Sequence, residues 1–381
     1  MKKVVVLGST GSIGTNTLRV LRELKEQFAV VGLAAGRNHA LLLEQAREFR
    51  PQWIYAENAG GLAQEKGEYA GRILADEEEL CAAVQASEVD IVLCGMTGRY
   101  GLRPALATLK GGKRLALASK EVLVMAGELM ISTARKSGAE ILPVDSEHCA
   151  IHQCLAGNQS TAIRRLLLTC SGGPFHAHPE KDLSQVTLPE TMRHPTWRMG
   201  QKITIDCATL MNKGLEIIEA THFFHVPEEK IEVVIHPQSI VHSMVDFCDG
   251  SVVAQMGCTE MRLPIQYCLT YPQRIPSGVP FLDFASGMNL SFSRPDEDRF
   301  PALRLARAAC HCGNAGGVFF NASNEVAVEC FVRGELRFDR IPIVVEETLA
   351  RCGNLQVNTL DDVLAADAEA RRIATEICRR Y

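Results

Sequence analysis

Val4–Leu7 is an unbroken apolar run, and Leu18, Leu21, Leu24 and Phe28 then recur at the spacing of one helix face. Val30–Ala35 is a second apolar run, followed by a helical pattern from about Ala40 to Phe49. Further strand-like runs fall at Trp53–Ala56, Val89–Cys94, Arg114–Ala118 and Ile141–Val144, with helical stretches between the later ones. Apolar strands alternating with helices predict a parallel sheet covered on both faces. Such sheets bind ligands outside the carboxyl ends of their strands. Those ends carry Gly8–Gly14, Gly36–Asn38, Gly95, Ser119–Glu121 and Asp145–Glu147.

Past residue 145 the pattern changes. Arg165–Cys170, Ile231–Ile235, Val241–Phe247 and Val252–Met256 read as strands with fewer helices between them, which predicts an α+β region with a partly antiparallel sheet. Five of the 16 prolines crowd into residues 272–301, marking a linker. From about Ala302 the pattern is helical to the end and predicts a small bundle. The expected division is 1–148, 149–271, a linker at 272–301, and 302–381.

The length of 381 residues agrees, since about 150 residues per domain gives two or three domains. A net charge of −5 argues against a nucleic-acid coat or a polybasic membrane binder. No apolar run approaches the roughly 20 residues that span a bilayer. A core strand beginning by residue 4 leaves no room for a signal peptide, so a cytoplasmic location is expected. The 14 cysteines include no C-x-x-C pair, which removes zinc ribbons and thioredoxin-like sites. Cys310 and Cys312 flank His311 without a second ligand pair, and the thiols read as small reduced packing residues.

Gly8-Ser9-Thr10-Gly11-Ser12-Ile13-Gly14 follows a buried strand and opens a helix. Its glycines allow a tight turn and close backbone approach to a pyrophosphate, and the helix start offers free N–H groups. The same pattern without a ligand is a tight strand–helix turn. NAD-binding folds place an Asp or Glu at the end of the second strand. Here Ala35-Gly36-Arg37-Asn38-His39 holds no carboxylate, and Arg37 suits a 2′-phosphate, so the expected cofactor is NADPH.

Pro143-Val144-Asp145-Ser146-Glu147-His148 follows the last strand of the first region. In extended backbone Asp145 and Glu147 face the same side. Two carboxylates there suit Mg²⁺ or Mn²⁺ rather than zinc, or else form a polar helix start. In Met211-Asn212-Lys213-Gly214-Leu215-Glu216, Asn212 and Lys213 suit a phosphate and Glu216 suits a cation, with Glu219 as its competitor; the alternative is a solvated helix face. Ser171-Gly172-Gly173-Pro174 reads as an anion nest or a simple turn. The strand-poor stretch at about 172–200, holding His194 and Trp197, reads as a lid over substrate or a loop anchored by a buried indole.

These motifs resemble the 1-deoxy-D-xylulose 5-phosphate reductoisomerases over essentially the whole chain. The resemblance rests on GSTGSIG at 8–14, ASKE at 118–121, PVDSEH at 143–148 and SGGPF at 171–175. It continues with HPTWRMGQKITID at 194–206, NKGLEIIEA at 212–220 and HPQSIVHSMV at 236–245. It implies a homodimer with a Rossmann-like NADPH domain, an α+β catalytic domain with a lid and a C-terminal helical bundle. The implied reaction rearranges 1-deoxy-D-xylulose 5-phosphate, by retro-aldol cleavage and aldol recombination, and reduces the aldehyde with NADPH to 2-C-methyl-D-erythritol 4-phosphate. That step belongs to non-mevalonate isoprenoid synthesis.

By motif, the resemblance implies Asp145, Glu147 and Glu216 as metal ligands. It implies Lys120, Ser146, Glu147, His194 and Glu216 at the substrate, and Ser171, Cys207, Asn212 and Lys213 at its phosphate. Thr10, Gly11, Ser12, Ile13, Gly36, Arg37, Asn38, Ser119, Glu121 and Gly200 would line NADPH. Two positions depart from the family pattern. Ser119 replaces the usual asparagine, and Cys207 replaces a phosphate-binding serine with a weaker donor. The competing expectations are another NADP-dependent enzyme, such as a semialdehyde dehydrogenase, and a non-catalytic NADPH sensor.

Overall fold

The computed structural model describes residues 1–381 except Glu68, Gln159, His194, Pro195, Thr196, Arg198 and Asn354, together with the Ser160 side chain. The chain forms two compact units. The first comprises residues 1–122, 130–149 and 260–279, and the second 123–129, 150–259 and 280–381.

The first unit is built on seven strands: β1 Lys2–Leu7, β2 Phe28–Ala35, β3 Trp53–Ala56, β4 Arg72–Ile73, β5 Ile91–Cys94, β6 Arg114–Leu117 and β7 Ile141–Pro143. All pair in parallel, in the order β4-β3-β2-β1-β5-β6-β7. Val4, Val5, Val6 and Leu7 are fully buried, as a strand covered on both faces requires. The order reverses between β1 and β5, which places a switch point beside the carboxyl end of β1. The two-residue β4 was not expected from the sequence, being too short to show a period.

The core of this unit combines Val4, Val6, Leu18, Leu21, Leu33, Leu42 and Ile54 with Ile265, Cys268 and Leu269. The last three lie on the helix Arg262–Thr270. The expected boundary at residue 271 puts this segment in the second region instead. Its buried face is what joins 260–279 to the first unit.

The second unit has a four-stranded sheet formed by β8 Ile163–Cys170, β9 Ile231–Ile235, β10 Val241–Phe247 and β11 Val252–Met256. Its order is β11-β10-β8-β9, with β8 and β9 parallel and β10 antiparallel to both β8 and β11. Residues 280–301 reach this sheet at a bridge between Ser293 and Ile235. A bundle follows, made of the helices Ala302–His311, Asn314–Val332, Ile341–Leu349 and Leu360–Cys378. Asn314–Val332 is buried almost all round, the property of a central helix. Leu360–Cys378 begins at a Thr359/Asp362 capping box.

Candidate active site

In the first unit, the Gly8–Gly14 loop is made of backbone. Gly8 has φ of +81°, and a Cβ on it would lie 2.6 Å from the Gly95 carbonyl oxygen at the end of β5. A Cβ on Gly14 would lie 2.2 Å from the Gly8 oxygen. The loop therefore fits across the switch point only without side chains at these positions. The helix Ser12–Glu23 begins at Gly11 with no side-chain cap, so its first N–H groups are available to an anion.

At the end of β2, the Arg37 side chain is 95% exposed and pairs with Glu57 at 3.6 Å. Asn38 Oδ1 accepts the Leu41 N–H at 3.2 Å, which makes Asn38 the cap of the helix His39–Phe49. Ser119 Oγ donates to the Met96 carbonyl, linking the ends of β6 and β5. Lys120 and Glu121 open the helix that follows β6.

Lys120 is buried, and its Nζ lies 2.8 Å from Asp145 Oδ2. His148 Nδ1 lies 3.4 Å from the same oxygen. Burial alone would raise the Asp145 carboxyl, but the Lys120 ammonium and His148 outweigh it and hold the group well below its usual range. Asp145 is thus kept as a carboxylate.

The expectation that Asp145 and Glu147 share a side of extended backbone is corrected. β7 ends at Pro143, and a helix spans Ser146–Leu155. The Asp145 carbonyl accepts the Cys149 N–H at 2.8 Å, so Glu147 stands in the first helical turn, where Ser146 Oγ donates to its Oε2 at 2.6 Å. The helix also explains His148, which the sequence reading passed over: it lies three residues from Asp145, the spacing of helical neighbours.

In the second unit, Gly172 and Gly173 follow Ser171 with φ of +86° and +70°. Gly173 N–H donates to Ser171 Oγ at 3.2 Å. A Cβ on Gly173 would lie 2.6 Å from the Cys207 carbonyl oxygen, so this loop and Cys207 are brought together. Cys207 is half-buried on the helix Gln201–Ala208, whose N-cap is Gly200.

The helix Met211–Phe224 carries Asn212, Lys213, Glu216 and Glu219, all buried. Asn212 Nδ2 donates to Glu216 Oε1 at 2.7 Å, and Lys213 Nζ pairs with Glu216 Oε2. The alternative of a solvated helix face is thereby excluded for both glutamates. The stretch read as a lid is tied down over part of its length. Arg299 donates to the carbonyls of Phe175, His178 and Lys181 at 3.0, 2.9 and 2.8 Å. The Trp197 and His242 rings are 6.5 Å apart. His194, expected at the substrate, lies outside the described residues.

All 14 cysteines are free thiols. Burial pushes the Cys310 thiol up to about 12, and the neighbouring His311 pairs with Glu228 at 2.6 Å.

Comparison with known proteins points to one family over the full chain. The model of 1-deoxy-D-xylulose 5-phosphate reductoisomerase matches residues 4–127, and two models of reductoisomerase C-terminal domains match 141–224 and 256–373. The chain is 47% identical over 384 residues to the 1-deoxy-D-xylulose 5-phosphate reductoisomerase of Caldanaerobacter subterraneus subsp. tengcongensis, covering 100% of both. It is 48% identical to that of Symbiobacterium thermophilum, covering 99% of both. A crystal structure of DOX-P reductoisomerase with NADPH, fosmidomycin and magnesium matches with a TM-score of 0.94 and 40% identity, over 100% of this chain and 98% of that one. The Zymomonas mobilis enzyme with NADPH matches with a TM-score of 0.93 and 38% identity, over 100% of both chains.

Proposed function

The chain belongs to the 1-deoxy-D-xylulose 5-phosphate reductoisomerase family, and on that footing we propose how its residues convert this substrate to 2-C-methyl-D-erythritol 4-phosphate. The reaction uses NADPH and a divalent cation and serves non-mevalonate isoprenoid precursor synthesis. The observation that carries the reading is that the carboxyl edge of one sheet presents an anion cradle at the end of β1 and a buried lysine paired with an ionised aspartate at the ends of β6 and β7.

The residues fit both groups. The glycine loop, which a Cβ on Gly14 would force apart against the Gly8 and Ser9 backbone, leaves uncapped helical N–H groups for a pyrophosphate. Asp145, Glu147 and Glu216 offer only oxygen donors, which suits Mg²⁺, and equally Mn²⁺, over zinc. When bound, the cation polarises the substrate ketone and NADPH supplies hydride to the rearranged aldehyde.

The chain's own residues bind and orient. Thr10, Gly11, Ser12 and Ile13 take the pyrophosphate, and Gly36, Arg37 and Asn38 take the adenosine end, with Arg37 on the 2′-phosphate. Ser119, Glu121 and Gly200 complete the cofactor's contacts. Lys120 holds Asp145 ionised and stands beside the substrate, Ser146 contacts its hydroxyls, and His194 serves near it. Ser171, Cys207, Asn212 and Lys213 hold the phosphate. In the structure Lys213 neutralises Glu216, and Asn212 donates a hydrogen bond to it. When Lys213 turns to a phosphate, Glu216 needs another positive charge, which a divalent cation supplies.

We assign NADPH binding to the first unit and the phosphate-directed residues Ser171, Cys207, Asn212 and Lys213 to the second, with 302–381 as its helical bundle. We further propose a homodimer working in the cytoplasm. β11 is an edge strand whose Val252 and Val253 are 51% and 39% exposed, the kind of apolar edge that proteins cover. No helix among the described residues is long and apolar enough to cross a membrane.

The test is NADPH oxidation by the full chain. Oxidation should require 1-deoxy-D-xylulose 5-phosphate, stop with EDTA and return with Mg²⁺ or Mn²⁺. Folded protein that oxidises no NADPH, or does so undiminished in EDTA, overturns the reading.

A further inference from the structure

The corner between the helices Gln201–Ala208 and Met211–Phe224 turns at Leu210, with φ of 60° and ψ of 10°. That left-handed conformation is unfavourable for a residue with a Cβ, so neighbouring contacts must hold it. Thr209 Oγ1 accepts the Met211 N–H at 3.3 Å, and the Leu210 carbonyl accepts the Gly214 N–H at 3.0 Å.

One residue before Cys207, Asp206 is 1% exposed. Its Oδ2 accepts from Lys202 Nζ, one helical turn earlier, at 2.7 Å. Its Oδ1 accepts from Asn324 Nδ2 at 2.8 Å. Asn324 lies on the central helix Asn314–Val332, 118 residues along the chain, and is fully buried. Among the described residues, the Asn324 Oδ1 has no hydrogen-bond partner. A buried amide with an unsatisfied oxygen is costly, and an apolar side chain would avoid the cost. What the amide contributes is its donor, aimed at Asp206.

We propose that Asn324 is a positioning residue, whose bond to Asp206 sets the helix Gln201–Ala208 and the corner after it. It thereby fixes Cys207, Asn212 and Lys213 in the arrangement that receives the substrate phosphate. The inference rests on the phosphate assignment made above. Asn324 touches no substrate; it acts through Asp206. Lys202 supplies charge to that carboxylate from within its own helix, whereas Asn324 ties the helix to the bundle.

The test compares Asn324→Ala, Asn324→Asp and the double variant Asp206→Asn/Asn324→Asp with the wild-type chain. Folding is checked by circular dichroism and by NADPH binding. Asn324→Ala should raise KM for 1-deoxy-D-xylulose 5-phosphate about tenfold while changing KM for NADPH and kcat by less than about threefold. Asn324→Asp opposes two carboxylates and should raise it further. The double variant restores an amide–carboxylate bond with donor and acceptor exchanged, and should recover most of the loss. Should Asn324→Asp not fold, Asn324→Ser keeps a donor, and its KM should fall between wild type and Asn324→Ala.

Folded variants with the wild-type substrate KM overturn the inference, as does a loss confined to kcat or shared equally by NADPH. A double variant no better than Asn324→Asp overturns it too. A wild-type chain without turnover overturns the underlying reading instead, so the two failures are told apart by the wild-type control.

Discussion

The Gly8–Gly14 loop and the corner at residues 201–220 both present groups for an anion, but they are built in opposite ways. The loop uses backbone N–H groups and the absence of side chains, and Gly11 and Ser12 stand open to solvent. The corner uses buried side-chain charge: Lys213 and Glu216 neutralise each other, and Asp206 is held by Lys202 and Asn324. A backbone cradle fails when a side chain forces its turn apart. A buried charge network fails when one partner is removed, because the other is left unpaired in the interior.

Lys213→Met should therefore give the largest effect. It strands the Glu216 carboxylate, and unfolding in urea should show a loss of about 3–5 kcal/mol alongside the loss of turnover. A variant as stable as wild type would mean that the corner is not held by charge. Gly14→Ala should come next, and in another observable. Its Cβ would meet the Gly8 oxygen at 2.2 Å. Overpacking of about 1–3 kcal/mol corresponds to NADPH binding weakened by roughly 5- to 150-fold. Urea stability should change less than in Lys213→Met; equal losses would erase the contrast.

The smallest expected effect is that of Cys207→Ser, within the corner but without a buried charge. A hydroxyl is a better donor than a thiol, and one improved contact of about 1 kcal/mol lowers substrate KM about fivefold. An unchanged or raised KM places Cys207 away from the phosphate. Thiol labelling gives the second view: bound substrate should slow modification of Cys207, and equal labelling with and without it counts against the assignment.

Much of the first unit was legible because its signals are local. An apolar run followed by Gly8, Gly11 and Gly14, and a β2 end without a carboxylate, can be read within a few residues. The alternation of strands and helices likewise announced the parallel sheet. The errors came where one element hands over to another. Glu147 was read as extended, but the helix starts at Ser146 and turns it. Glu219 was open to a reading as a solvated face, yet its helix is buried along most of its length. The helix Arg262–Thr270 shows no local sign of the core that it joins.

The sequence by itself determined the family, the chemistry available and the backbone demands of the glycine turns, since each depends on residue type and short spacing. It also left 14 cysteines without a disulfide or zinc pattern, and all 14 are free thiols in the structure. Only the tertiary structure decided which charges face each other. Lys120 meets Asp145 across neighbouring strand ends, and Asn324 meets Asp206 across 118 residues. A buried charge is tolerable only beside its partner, and partners far apart in sequence are joined by packing.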